Sequence, residues 1–225
     1  MFNVRWMMMF DKEGRYLFIG AHPDDIEIWA GGLILKLIKK GVRDLFCVVL
    51  TDGSAGTGGV DVRLEEVRKS KEMLGITTYE TLNLKDGTLS ANPNLANLLS
   101  ELIKKYKPDY LFTHRKHDRH PDHSAIGESI EKALFLATVN VEGSNYEPYL
   151  CKNVFLYVSD PFKMPENKVY IDISDVYDDK VKLIDVFQTQ LFVLKPYLEL
   201  NLFYGSFVGL KAAEIFQLYN AVIDI

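Results

Sequence analysis

The sequence is short of sulfur, of long apolar runs and of positive charge, and each shortage removes a class of explanation. Two cysteines occur, Cys47 inside the apolar run Leu45 to Leu50 and Cys151 beside another strand-like run. Neither has the paired spacing of a thiolate metal site, so both read as buried free thiols in a reducing compartment. Met1 to Phe10 is apolar, but Asp11, Lys12 and Glu13 end it, well short of the roughly 20 apolar residues a membrane span needs. With 26 Lys and Arg against 31 Asp and Glu, the net charge is −5. No global basic field exists to hold nucleic acid or an anionic membrane surface. The expectation is a soluble, cytoplasmic protein without nucleic-acid partners and without a membrane span.

What is present suits one domain over residues 1–225: a chain of 225 residues, 48% of them hydrophobic, can still grow a single core. Short β-rich runs alternate with helix-period segments through the first two thirds, the pattern of an α/β fold with a Rossmann-like, mostly parallel sheet flanked by helices. Strands are expected at Tyr16 to Gly20, Asp44 to Leu50, Thr77 to Leu82 and Tyr110 to Thr113. Helices are expected at Glu27 to Lys40, Val62 to Leu74, Leu95 to Tyr106 and Ser124 to Ala137, with Gly41 and Gly75 as stops. The C-terminal part is mixed, with strands at Cys151 to Val158 and Lys168 to Ile173 and one long helix from Val176 to Leu194. The aromatic tail, Phe203, Tyr204, Phe207, Phe216 and Tyr219, is read mainly as core, with an interface in a homo-oligomer as its other use.

In open α/β sheets ligands bind beyond the carboxyl ends of the strands, so the polar residues just after each strand matter most. After the first strand stands Ala21-His22-Pro23-Asp24-Asp25, an imidazole and two carboxylates on a loop stiffened by proline. His22 and Asp25 can grip one cation while Asp24 remains free to handle a proton. A plainer use of these aspartates is to cap a helix and complement its dipole. The distribution of histidine argues against that alone, because the five histidines are His22 and a cluster of His114, His117, His120 and His123 after the fourth strand. His120-Pro121-Asp122-His123 repeats the style of the first loop, and His123 can complete a two-His, one-carboxylate zinc site with an open position. The same donor set also suits iron in oxygenases.

Gly53-Ser54-Ala55-Gly56-Thr57-Gly58-Gly59 follows the second strand. It lacks the dinucleotide fingerprint and any Gly-Lys-Ser/Thr triplet, so a flexible active-site loop is the simpler reading than a phosphate cradle. Arg63 and Glu66 share a face of the next helix, where a surface ion pair is the ordinary expectation.

Taken together, the chain resembles the PIG-L/LmbE-like zinc-dependent N-deacetylases. The resemblance rests on Ala21 to Asp25, Thr51-Asp52-Gly53 to Gly56, Arg63 with Glu66, and Asp118 to His123. It extends more loosely to Lys180, to Thr189-Gln190 and to Ala213-Glu214-Ile215-Phe216. It implies removal of an acetyl group from an N-acetylglucosamine-like amino sugar or its conjugate. It also implies His22, Asp25 and His123 as zinc ligands, Asp24 as general base, and His120 as stabiliser of the transition state, with its tautomer supported by Asp122. Arg63 and Asp86 would help hold the sugar. Departures are Arg119 in place of a frequent His, Phe187 in place of another His at a pocket wall or subunit contact, and Thr189 in place of Ser. The alternatives are a zinc amidase acting on a different amide conjugate and a non-catalytic α/β module that binds a nucleotide through the glycine-rich loop.

Overall fold

A computed structural model describes residues 10–222. The apolar N-terminus read above therefore lies outside the described residues, except for Phe10, which is buried in the core. Seven strands form one sheet in the order β3-β2-β1-β4-β5-β7-β6. They are β1 (Tyr16–Gly20), β2 (Leu45–Thr51), β3 (Thr78–Leu84), β4 (Tyr110–His114), β5 (Asn153–Tyr157), β6 (Lys168–Asp172) and β7 (Ala213–Asn220). The first five run parallel. β7 is antiparallel to both β5 and β6, which makes the C-terminal part mixed, as its sequence suggested.

Central strands buried on both faces read as continuous apolar runs, and β1 is buried at every position. Its side chains divide by the strand period of two: Tyr16 and Phe18 enter one core cluster, Leu17 and Ile19 the other. The first cluster is covered by α1 (Asp25–Lys40), α2 (Val60–Leu74), α5 (Tyr177–Ile184) and α6 (Leu191–Phe207); the second lies under α3 (Leu95–Tyr106) and α4 (Pro121–Ala137). Cross-strand neighbours on the first face form an aromatic ladder, with Phe112 stacked 4.7 Å from Phe18 and 4.9 Å from Phe155. Cys47 and Cys151 are free and buried. No helix among the described residues is long and apolar enough to cross a membrane.

Two expectations fail at the C-terminal end. The helix expected from Val176 to Leu194 is two helices, α5 and α6, broken at residues 185–190. The break is held by Glu66, whose carboxylate accepts the Thr189 N–H at 2.8 Å and the Thr189 hydroxyl at 2.7 Å. Pro196 sits inside α6 in its second turn, where it forfeits one ladder bond. The aromatic tail is not mainly core: Tyr204 and Phe216 are buried, but Phe203, Phe207 and Tyr219 are exposed.

One long-range contact reaches into the middle of α1. The Glu214 carboxylate on β7 accepts the N–H groups of Gly32 and Leu33 at 2.7 and 2.8 Å. The Lys180 ammonium donates to the Ile28 carbonyl at 2.7 Å, the group four residues before Gly32, and to Glu214 at 2.8 Å. A buried ion pair is thus inserted into the helical ladder. Gly32 permits it, since a Cβ there would lie 2.7 Å from Ile173 Cγ2 and 3.0 Å from Glu214 Oε1.

Candidate metal centre

Strand order reverses between β1 and β4, with β2 and β3 on one side and β5 on the other. That switch point is where a crevice opens at the carboxyl ends of the strands. A cavity of about 280 Å³ occupies it, lined by His22, Asp24, Asp25, Arg63, Asp86, His120 and His123, with Trp29, Val193, Leu194 and Tyr197 as an apolar wall. The histidine loop after β4 is kept compact because α4 packs close to the chain leaving β4. A Cβ on Gly127 would overlap the backbone of Arg115 and Lys116.

Within this crevice three expected ligands converge. His22 Nδ1 lies 3.2 Å from His123 Nε2 and 3.2 Å from Asp25 Oδ2, and His123 Nε2 lies 3.2 Å from Asp25 Oδ1. Donors bonded at about 2.0–2.1 Å to a tetrahedral cation stand about 3.3 Å apart, so these separations are those of a site that can hold one. The sets His22, His120, His123 and Asp25, His114, His123 are also close enough to share an ion. His114 is poorly placed to join, because its Nε2 already accepts the Ala21 N–H at 3.1 Å. It is fully buried and stacks on His123 at 3.9 Å. His117 is exposed, outside the cavity lining.

Each candidate imidazole ligand is backed by a carboxylate on its other nitrogen, the arrangement that fixes ring orientation and raises basicity at metal sites. Asp118 Oδ2 is 3.1 Å from His123 Nδ1 and also accepts the Ser159 hydroxyl. Asp122 Oδ2 and Asp86 Oδ1 lie 3.3 and 3.1 Å from His22 Nε2. Asp122 also accepts the N–H groups of Gly87 and Leu89 at 2.8 and 3.0 Å. The expected role of Asp122 is thereby corrected: its carboxylate orients His22 rather than His120. The His120 tautomer is set by a backbone group, since Asp122 N–H donates to His120 Nδ1 at 3.3 Å and leaves the ring proton on Nε2. Asp86 likewise stands behind His22, with its second oxygen accepting Ala55 N–H at 3.0 Å. Asp118 stood in the sequence reading only as the first residue of the matched segment Asp118 to His123, with no role of its own, and Ser159 carried no signal there.

Charge follows from this packing. Burial alone would depress the His22 imidazole, but hydrogen bonds to Asp122, Asp25 and Asp86 outweigh it and push the ring up to about 12. Burial is likewise opposed at His123, which Asp25 and Asp118 push up to about 9. His120 is shifted down by its own burial and by the neighbouring His22 and His123 charges. Its place at the α4 N-terminus also disfavours a cation. Burial pushes Asp24 up to about 8 against the pull of Arg63.

Asp24 has φ +120°, a conformation costing on the order of 1–3 kcal/mol for a residue with a side chain. This strain turns consecutive carboxylates apart: Asp25 faces the imidazoles, while Asp24 Oδ2 meets Arg63 Nη2 at 3.1 Å. Arg63 Nη2 also holds the Pro23 carbonyl at 2.5 Å. The ordinary surface pair of Arg63 with Glu66 does not form; both are buried, and Glu66 turns to Thr189. Phe187 is fully buried in the larger core cluster and does not line this cavity. The glycine-rich loop frames the cavity instead of cradling an anion, since its Ser54 and Ala55 N–H groups are taken by Asp52 and Asp86 carboxylates.

Comparison with known proteins adds independent findings. Residues 17–134 match the family of GlcNAc-PI de-N-acetylases, PIG-L. The chain is 30% identical to the diacetylchitobiose deacetylase of Thermococcus kodakarensis over 91% of its length and 83% of that protein. It is 25% identical to a probable N-acetyl-alpha-D-glucosaminyl L-malate deacetylase 2 of Bacillus cereus, covering 79% of this chain and 84% of the relative. Among solved structures, the N,N'-diacetylchitobiose deacetylase of Pyrococcus horikoshii superposes with TM-score 0.79 at 25% identity, covering 96% of this chain and 90% of the other.

Proposed function

Because the chain belongs to the PIG-L family of GlcNAc-PI de-N-acetylases, we propose that it is a zinc-dependent hydrolase that removes the N-acetyl group from an N-acetylglucosamine-like amino sugar or its conjugate. The convergence of His22, Asp25 and His123 beside a separately aimed Asp24 carries this reading. His22 Nδ1, Asp25 and His123 Nε2 would hold the cation. Zinc held by three protein ligands would supply a water whose pKa is lowered to about 7 and an electrophile for the amide oxygen.

Asp24, poised near neutrality and buried beside Arg63, takes the proton from the attacking water and can return it to the leaving amine. His120 presents its Nε2 proton to the cavity, where a neutral donor suffices to meet the oxyanion as it develops. Asp122 and Asp118 keep the two ligand imidazoles in place. Arg63 secures the Pro23-Asp24 turn, and through Asp24 it is tied to the proton transfer as well as to the sugar-holding role its position suggests. Asp86 combines support of His22 with a place on the cavity wall that a sugar hydroxyl can reach.

The relatives named above are deacetylases of acetylated glucosamine units, which favours an amino sugar over other amides. The test is release of acetate and free amine from N-acetylglucosamine, its dimer and simple glycosides, together with metal analysis. About one equivalent of zinc and loss of turnover with chelator are expected. Turnover that survives complete metal removal, or activity confined to amides without a sugar, would overturn the reading.

A further inference from the structure

The catalytic scheme above leaves Trp29 without a part, yet its side chain touches a proposed ligand. Trp29 lies four residues after Asp25 on α1, on the same helix face, and long helical side chains lean back toward the N-terminus. The indole accordingly reaches down one turn, and Nε1–H donates to Asp25 Oδ1 at 3.3 Å. The other oxygen, Oδ2, accepts the His22 N–H at 2.7 Å. The carboxylate is therefore gripped at both ends, with Oδ1 3.2 Å from His123 Nε2 and Oδ2 3.2 Å from His22 Nδ1.

The indole is itself held. Its ring meets Tyr197 edge-on at 4.8 Å, and the Tyr197 hydroxyl accepts a hydrogen bond from Arg119 at 2.5 Å. This strap joins α1, α6 and the loop after β4. An unrestrained carboxylate can rotate and change how its oxygens meet a cation.

We propose that Trp29 is a positioning residue that fixes the rotation of the Asp25 carboxylate and thereby the way this ligand meets the cation. This inference rests on the proposed ligand set His22, Asp25 and His123. Trp29→Phe keeps a ring against Tyr197 and removes the N–H. In the cobalt(II)-substituted protein, the visible absorption of Trp29→Phe should change several-fold, as the carboxylate is freed to rotate. Zinc affinity, measured by competition with a chromophoric chelator, or kcat should shift by roughly 10- to 100-fold with little change in KM.

Should Trp29→Phe fold poorly, benzothienylalanine in a Trp6→Phe background replaces the indole N–H by sulfur at position 29 alone, because Trp6 and Trp29 are the two tryptophans. The same readouts then decide. A cobalt spectrum, zinc affinity and kcat within about twofold of the parent in the N–H-free protein overturn the role of Trp29 while leaving the metal site intact. A parent protein that binds neither metal overturns both.

Discussion

The two His-Pro-Asp loops look alike in sequence but are supported differently. The loop after β4 orients its ligand mainly from within: Asp118 holds His123 from the same segment and accepts the His120 N–H at 2.8 Å, with Ser159 and Tyr197 as outside contacts. The loop after β1 supplies two ligands but is held from outside, by Asp122 and Asp86 behind His22, by Arg63 beneath Asp24 and by Trp29 above Asp25. Similar motifs can therefore carry unequal burdens. The first loop brings ligands and base together at the cost of a strained Asp24, and the rest of the molecule restrains it.

The largest effect should come from the ligands, two on the first loop and one on the second. His22→Ala and His123→Ala are both expected to lose zinc on dialysis and to reduce turnover to background; metal analysis beside an acetate assay checks this. Asp24→Asn separates proton transfer from metal binding, and should keep zinc while kcat falls by roughly 10²- to 10⁴-fold. Loss of zinc in that variant would make Asp24 a ligand. His120→Ala should also keep zinc and lose roughly 10²- to 10³-fold in kcat.

The comparison itself is sharpened by Asp118→Asn and Asp122→Asn, each expected to weaken zinc affinity by about 10- to 100-fold. Asp122→Asn should in addition loosen residues 86–89, read as faster amide exchange at Gly87 and Leu89, whose N–H groups it holds. Equal exchange in the two variants would remove the asymmetry. The smallest effect concerns pH in the metal-free protein. His22 and His123 are raised above the ordinary imidazole value, so their contribution is fully present below about pH 6.5 and is lost as pH rises through about 9 and then 12. The melting temperature of the chelated protein should fall by a few degrees between about pH 8 and 10.

Much of this centre was legible because it lies in short segments directly after strands. Periodicity located β1 and α3 to their ends and placed His22, Asp24, Asp25, His120 and His123 at the crevice mouth. What escaped notice depends on contacts across the chain. Which histidine Asp122 serves cannot be read from its place beside His120 and His123, because His22 is 100 positions away. Trp29 carried an ordinary amphipathic pattern, and only the turn below it reveals a polar duty. The split between α5 and α6 depends on Glu66, 123 positions before Thr189. Residues with opposite fates in the aromatic tail have the same chemistry, so composition could not separate buried Phe216 from exposed Phe207.

The ion pair lodged in α1 has a consequence for biosynthesis. A ribosome delivers His22 and Asp25 early, yet the groups that occupy the Ile28 carbonyl and the Gly32 and Leu33 amides arrive only with Lys180 and Glu214. Until then those groups can pair only along the helical ladder, and the side of the first helix destined for the interior lacks its ion pair. The segment 17–134 that bears the family signature is thus dependent on its own distal strand, and a fragment ending before Glu214 should assemble its metal loops poorly even though every ligand is present.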